Sequence, residues 1–188
     1  MTRQHLLWCA LETTGSDPER NSIVELAFCL SRIVNGELTA QRTFVHLVRP
    51  TRDIWALRYV IRHQQNGIIN ELQSAEVSSL SGTMTNIMPV IRMWCGAKPV
   101  TLAGLDTHLT REFIRNSIPE LSTLLRPTVF DMRTLELFYR QTADDPTERH
   151  DSTRAGSSLD CLVQNYRLLS AQIRGQDGSA HHTQQAST

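Results

Sequence analysis

Asn35-Gly36 lies between two runs of strand-forming residues, and this dipeptide supplies the positive φ angles that a tight hairpin needs. The run before it, residues 23–30, is rich in β-branched and aromatic side chains. The run after it covers residues 37–48 and is closed by Pro50. A shorter apolar run at residues 5–11 precedes both and suits a central strand. Three strands in a meander make half a sheet.

Beyond Pro50 the period changes. Residues 51–65 carry Ile54, Leu57, Tyr59, Val60 and Ile61 at mainly helical spacing, and Asn66-Gly67 is a stop signal. A second helix is predicted over residues 79–94, ending at Gly96, with Pro89 expected to kink or split it. Residues 100–103 read as a short buried strand ending at Gly104. Asp106 or Thr107 can cap the next helix, which runs to about Asn116. Residues 128–130 form a fifth strand and residues 132–140 a helix. Ser157 or Ser158 opens a last helix that runs to about Ile173. A meander followed by alternating helices and strands predicts an α/β fold with a mixed five-stranded sheet flanked by helices. One domain is expected over residues 1–173. Residues 174–188 lack an apolar anchor and are predicted to form a disordered tail.

Nineteen basic and nineteen acidic residues cancel, so no global positive field draws in nucleic acid, although local patches still can. The basic residues are nearly all Arg, with Lys98 the only lysine. Arg favours planar phosphate recognition, and the base composition of the coding sequence explains the bias at least as well. Cys9, Cys29, Cys95 and Cys161 form no CxxC pair and read as buried reduced thiols. No apolar run reaches about 18 residues and no signal-peptide pattern opens the chain. These features predict a cytoplasmic location and no membrane partner.

Four stretches share the spacing of one family's motifs. Trp8-Cys9-Ala10-Leu11-Glu12-Thr13-Thr14-Gly15, with Asp17 and Pro18 after it, resembles the first motif of the oligoribonuclease family, W-[IV]-D-L-E-M-T-G-L-D. Residues 63–68, His-Gln-Gln-Asn-Gly-Ile, resemble its H-x-x-S-G-L helix end. Gly104 to Leu121 keeps the spacing of its G-N-S-x-x-x-D-[RK]-x-F motif through Arg111, Phe113 and Pro119. Residues 153–159 fall on its H-R-A-x-D-D-I motif. The resemblance covers roughly residues 5–172. It implies a ribonuclease-H-like fold and relation to the DEDDh 3′–5′ exoribonucleases, which use four carboxylates and a histidine.

At those five positions the chain has Ala10, Glu12, Thr110, Thr153 and Ser158, so only Glu12 keeps the family residue. Two-metal hydrolysis needs two divalent ions about 4 Å apart, anchored by carboxylates. A Thr hydroxyl cannot replace the general base, which is worth about 10²–10⁴-fold in rate. The resemblance therefore implies a degenerate member, a catalytically inactive pseudo-exonuclease that serves as a nucleic-acid- or protein-binding scaffold. No cofactor is then expected. The alternative is an active exoribonuclease on short RNA, with Mg²⁺ or Mn²⁺ held by a rewired set such as Glu12, Asp106 and Asp151. Glu12 itself reads either as a hydrogen-bonded strand-end carboxylate or as a weak ligand for one ion. Candidate RNA contacts are Arg58, where the family places a stacking Trp, together with His63, Arg111 and Arg154. The expected partners are short RNA and a second copy or another protein.

Overall fold

The computed structural model describes residues 4–34, 37–96, 98–142 and 154–183, with side chains described outside residues 40–41, 138–142 and 172–183. Six strands form one sheet in the order β4-β3-β2-β1-β5-β6. The strands are β1 (Gln4–Thr13), β2 (Ile23–Val34), β3 (Glu37–Arg49), β4 (Ser78–Ser79), β5 (Val100–Gly104) and β6 (Leu125–Asp131). The helices are α1 (Leu57–Gln65), α2 (Ile68–Glu71), α3 (Leu80–Cys95), α4 (Thr107–Ser117), α5 (Pro119–Ser122), α6 (Met132–Thr142) and α7 (Ala155–Thr183). β1, β2 and β3 are the antiparallel meander, while β5 and β6 continue the sheet parallel to β1. The sheet is mixed, as the strand order in the sequence predicts.

Both faces of the sheet are buried at its central strands, which explains why β1 and β2 are apolar almost throughout. On one face Leu7, Cys9, Leu26 and Phe28 pack against Met84, Ile87 and Ile91 of α3 and Phe113 and Ile114 of α4. On the other, Leu6, Trp8, Ala10, Ala27 and Cys29 pack against Leu159, Leu162 and Tyr166 of α7. Trp8 is wholly enclosed: its Nε1–H donates to Ser31 Oγ at 2.8 Å, and its ring meets Phe130 and Tyr166 edge-on. A glycine is required where β1 and β5 come together. A Cβ on Gly104 would lie 2.6 Å from the carbonyl oxygen of Cys9, so only hydrogen lets the two strand ends approach.

Several elements differ from the sequence reading. Residues 51–56 are not helical. Ser22 Oγ takes the amide of Arg52, and Ala56, extended at φ −78° and ψ 136°, donates its amide to Thr14 O. These bonds tie the segment to the loop after β1 and delay the helix to Leu57. α3 is continuous across Pro89. β4 adds a two-residue sixth strand, and α2 and α5 are single turns too short to carry a period. α7 begins two residues before Ser157, because Glu25 Oε2 on β2 accepts the Ala155 amide at 2.6 Å and caps the helix from a distant strand. The same helix continues to Thr183, past Ile173, where composition alone predicts an unstructured tail; extending an established helix costs far less than starting one. Cys9, Cys29 and Cys95 are buried free thiols, and Cys161 is half-buried. Among the described residues no helix is long and apolar enough to cross a membrane.

Candidate functional site

β1, β5 and β6 run parallel, so their carboxyl ends lie together, the usual place for a ligand in a sheet of this kind. A cavity of about 470 Å³ opens there, within the roughly 300–1,000 Å³ of small-molecule sites. Its walls include Ala10 and Glu12 from β1, Tyr59 and Arg62 from α1, Asp106 just after β5, Thr110 from α4, Arg133 from α6 and Ser158 from α7. Four of the five motif positions therefore meet in one place. The fifth, Thr153, lies outside the described residues, as do His150 and Asp151. Asp160 lines a separate cavity with Cys29 and Arg167.

Glu12 is buried, and its Oε1 accepts from Arg62 Nη2 at 2.9 Å. Glu25 stands directly opposite it on β2. Glu25 is enclosed too and has its own arginine: Arg154 Nε and Nη2 donate to Glu25 Oε1 at 2.9 and 2.6 Å. The Arg154 fork also reaches Glu71 of α2, at 2.8 and 3.1 Å. Two like charges facing each other across a strand pair repel. Here each is matched by a guanidinium from outside the sheet. Arg154 pulls the Glu71 carboxyl below its ordinary value, and Glu71 and Glu25 in turn hold Arg154 firmly charged.

Burial pushes the Glu12 carboxyl up to about 7, although Arg62 and Arg154 pull it down. Desolvation wins because Arg62 is 40% exposed, so water screens its attraction while Glu12 carries the full cost of burial. A folded value above the unfolded one makes stability fall as pH rises from about 4.3 to about 7. Glu12→Gln is therefore expected to raise the melting temperature at about pH 8 by several degrees, from about 2–3 kcal/mol, and to change it little near pH 4. Thermal melts at the two pH values check this; an equal shift at both contradicts it.

The RNA-contact candidates are scattered. His63 is fully buried and held neutral, its pKa lowered chiefly by burial. Its Nε2–H donates to Thr13 O at 2.8 Å, and its Nδ1 faces the Asn66 amide at 3.3 Å. It braces the end of β1 and cannot reach a ligand from there. Arg154 is committed to Glu25 and Glu71. Arg111 donates through Nη2 to the carbonyl of Arg126, tying α4 to β6. Arg58 alone is exposed beside the cavity mouth: its guanidinium lies 4.9 Å over the Tyr59 ring and reaches Ser16 Oγ at 3.2 Å. Asp106 does not cap α4 with its side chain. It adopts φ 52° and takes a two-bond fork from Arg133, at 2.8 and 2.8 Å. Asp131 is the cap instead, its Oδ2 accepting from the amide and hydroxyl of Thr107, both at 2.7 Å.

The motif comparison missed Arg62, Arg133 and Tyr59. Arg62 directly precedes His63 on α1, but nothing local ties it to an acid fifty residues earlier.

No family model matches the chain. The oligoribonuclease of Actinobacillus succinogenes is 21% identical over 174 residues, 89% of this chain and 92% of that one. That of Actinobacillus pleuropneumoniae is 23% identical over 176 residues, 90% and 92% of the two chains. The chain is a relative of the oligoribonucleases. Solved structures share the fold. Exonuclease I of Methylocaldum szegediense superposes with a TM-score of 0.64 at 15% identity over 88% of this chain. The zinc-bound E. coli exonuclease I–single-stranded DNA complex gives 0.66 at 13% over 91%. The chain spans only 40% and 41% of those two exonucleases.

The E. coli neighbour was solved with a bound zinc ion, and a pair of divalent ions needs several carboxylates to anchor it. Among the described residues, this oligoribonuclease relative offers two carboxylates in the cavity, Glu12 and Asp106, and each is already held by an arginine. The other polar walls at motif positions are the neutral hydroxyls of Thr110 and Ser158. Among the described residues no three His, Cys, Asp or Glu side chains are grouped to hold a metal. An ion on Glu12 Oε1 would also stand against the Arg62 guanidinium. The described residues of the cavity do not fit a pair of divalent ions.

Proposed function

We propose that this oligoribonuclease relative is a catalytically silent exonuclease-fold protein that holds the end of a short RNA in the cavity beyond β1, β5 and β6. The observation that carries the reading is the Arg62–Glu12 pair in a cavity walled by Ala10, Thr110 and Ser158. The backbone of the motifs converges there without the acids that two-metal hydrolysis requires. Nucleic acid is favoured as the ligand because the relatives are named oligoribonucleases and structural neighbours were solved with single-stranded DNA and with dA16 and dT13 oligonucleotides. The exposed Arg58 guanidinium, held 4.9 Å over the Tyr59 ring, offers a planar surface for a base. The binding unit is residues 1–173.

A titration of a 5′-fluorescein pentanucleotide RNA, read by anisotropy, tests the reading. Saturable binding that competes with unlabelled RNA is expected, and Arg58→Ala should weaken it about fivefold or more through lost stacking. No binding at protein concentrations near 1 mM refutes it. A second copy or another protein partner is the further expectation carried by the resemblance. Light scattering on the 21.3 kDa chain tests self-association, which a monomeric mass contradicts.

One observation favours a second reading. Asp106 shares the cavity with Glu12. An active exoribonuclease with one rewired metal site would have to release both acids from their arginines, and its sign would be RNA turnover in Mn²⁺ that Glu12→Ala abolishes.

A further inference from the structure

Among the described residues, the cavity's carboxyl groups and its cations are Glu12 and Asp106 with Arg62 and Arg133. The two acids and the two arginines form two ion pairs. The two ion pairs differ. Asp106 and Arg133 are each about half exposed and share a two-bond fork at the rim. Glu12 is 5% exposed and takes a single bond from Arg62, whose side chain is 40% exposed and forms part of the cavity wall. A guanidinium carries five N–H donors. In Arg62, Nε is enclosed without a partner and one Nη2 hydrogen goes to Glu12. Three hydrogens remain on the two Nη atoms, with no acceptor among the described residues. They lie beside Glu12, in the middle of the former motif positions.

We propose that Arg62 is a fixed cation that receives a backbone phosphate at the bound end of a single-stranded oligonucleotide, so that binding in this cavity needs no divalent ion. The inference rests on the RNA-end reading above and specifies how the charge is met. A planar fork matches phosphate oxygens through charge-assisted bonds. Glu12 holds the guanidinium in place but also offsets its charge. Neutralising Glu12 without changing its shape therefore frees positive charge for the ligand. A metal-ligand role for Glu12 demands the opposite outcome.

The test is anisotropy of the same labelled pentanucleotide at about pH 8, in excess EDTA and in excess Mg²⁺. Wild-type affinity should agree between the two buffers within about twofold. Arg62→Gln should weaken binding about tenfold or more in both. Glu12→Gln, which keeps an oxygen to accept from Arg62, should tighten it about three- to tenfold. A damaged fold cannot produce tighter binding, so this variant protects the test against misfolding of Arg62→Gln. Binding only with Mg²⁺, unchanged binding by Arg62→Gln, or weaker binding by Glu12→Gln each overturns the inference while RNA binding itself stands. No wild-type binding in either buffer instead defeats the underlying reading and the inference with it.

Discussion

Arg154→Ala should lower the melting temperature by roughly 6–20 °C. Glu25 is 1% exposed, and Arg154 is the cation that matches it. Removing the partner of a buried charge costs about 3–5 kcal/mol, because the remaining charge has lost its water and gained nothing in return. In a chain of 188 residues each kcal/mol moves the midpoint by about 2–4 °C. The Ala155 amide still reaches Glu25, so part of the compensation survives. Arg154 also joins β2 to α2 through Glu71, and its loss loosens the start of α7, which carries Ser158 into the cavity. Arg154→Lys keeps the charge without the fork and should fall between wild type and alanine. A calorimetric midpoint within about 2 °C of wild type would show that Glu25 is compensated by other means.

The second large effect is a gain. The variant carrying Ala10→Asp, Thr110→Asp, Thr153→His, Ser158→Asp and Arg62→Ala should release mononucleotides from short RNA in Mn²⁺ at least about 10³-fold above the wild-type background. Ala10 and Glu12 alternate onto the same face of β1, and Thr110 and Ser158 already wall the same cavity. The four described motif positions are thus grouped already, and the substitutions supply the missing acids. The four motif changes without Arg62→Ala should recover far less, since the guanidinium still sits on Glu12. Crowding acids into this cavity should also lower the melting temperature without metal. Saturating Mn²⁺ should restore it, by about 2.7 kcal/mol at a hundred times the dissociation constant. Equal activity with and without Arg62 would remove that residue from the account.

The sequence carried the fold well where signals are local. Gly96 ended α3 and the apolar runs located β1, β2 and β5, while Asn35-Gly36 lies outside the described residues, between two strands that pair antiparallel. Motif spacing, preserved through Gly104, Phe113 and Pro119, brought out the exonuclease architecture when local pattern alone stopped at a mixed sheet. Failures came where distant groups decide. Residues 51–56 have helical spacing but are tied to the loop after β1 by Ser22 and Thr14. α7 starts early because its cap, Glu25, lies 130 residues away. The site was legible in the same uneven way. Ala10, Glu12, Thr110 and Ser158, singled out by motif position, all line one cavity. Position alone could not reveal that His63 is buried against Thr13, or that Arg154 is spent on two carboxylates. Nor could it reveal that Arg62 reaches Glu12 across fifty residues, since a single arginine on a helix looks like any solvated charge until its partner is placed.

The account turns on whether the acid retained at the end of β1 serves a guanidinium or a metal. The most direct measurement is mononucleotide release from a 5′-labelled pentanucleotide RNA in excess Mn²⁺, comparing wild type with Glu12→Ala. The account predicts the same background with both proteins. Release by the wild type that disappears with Glu12→Ala would contradict it.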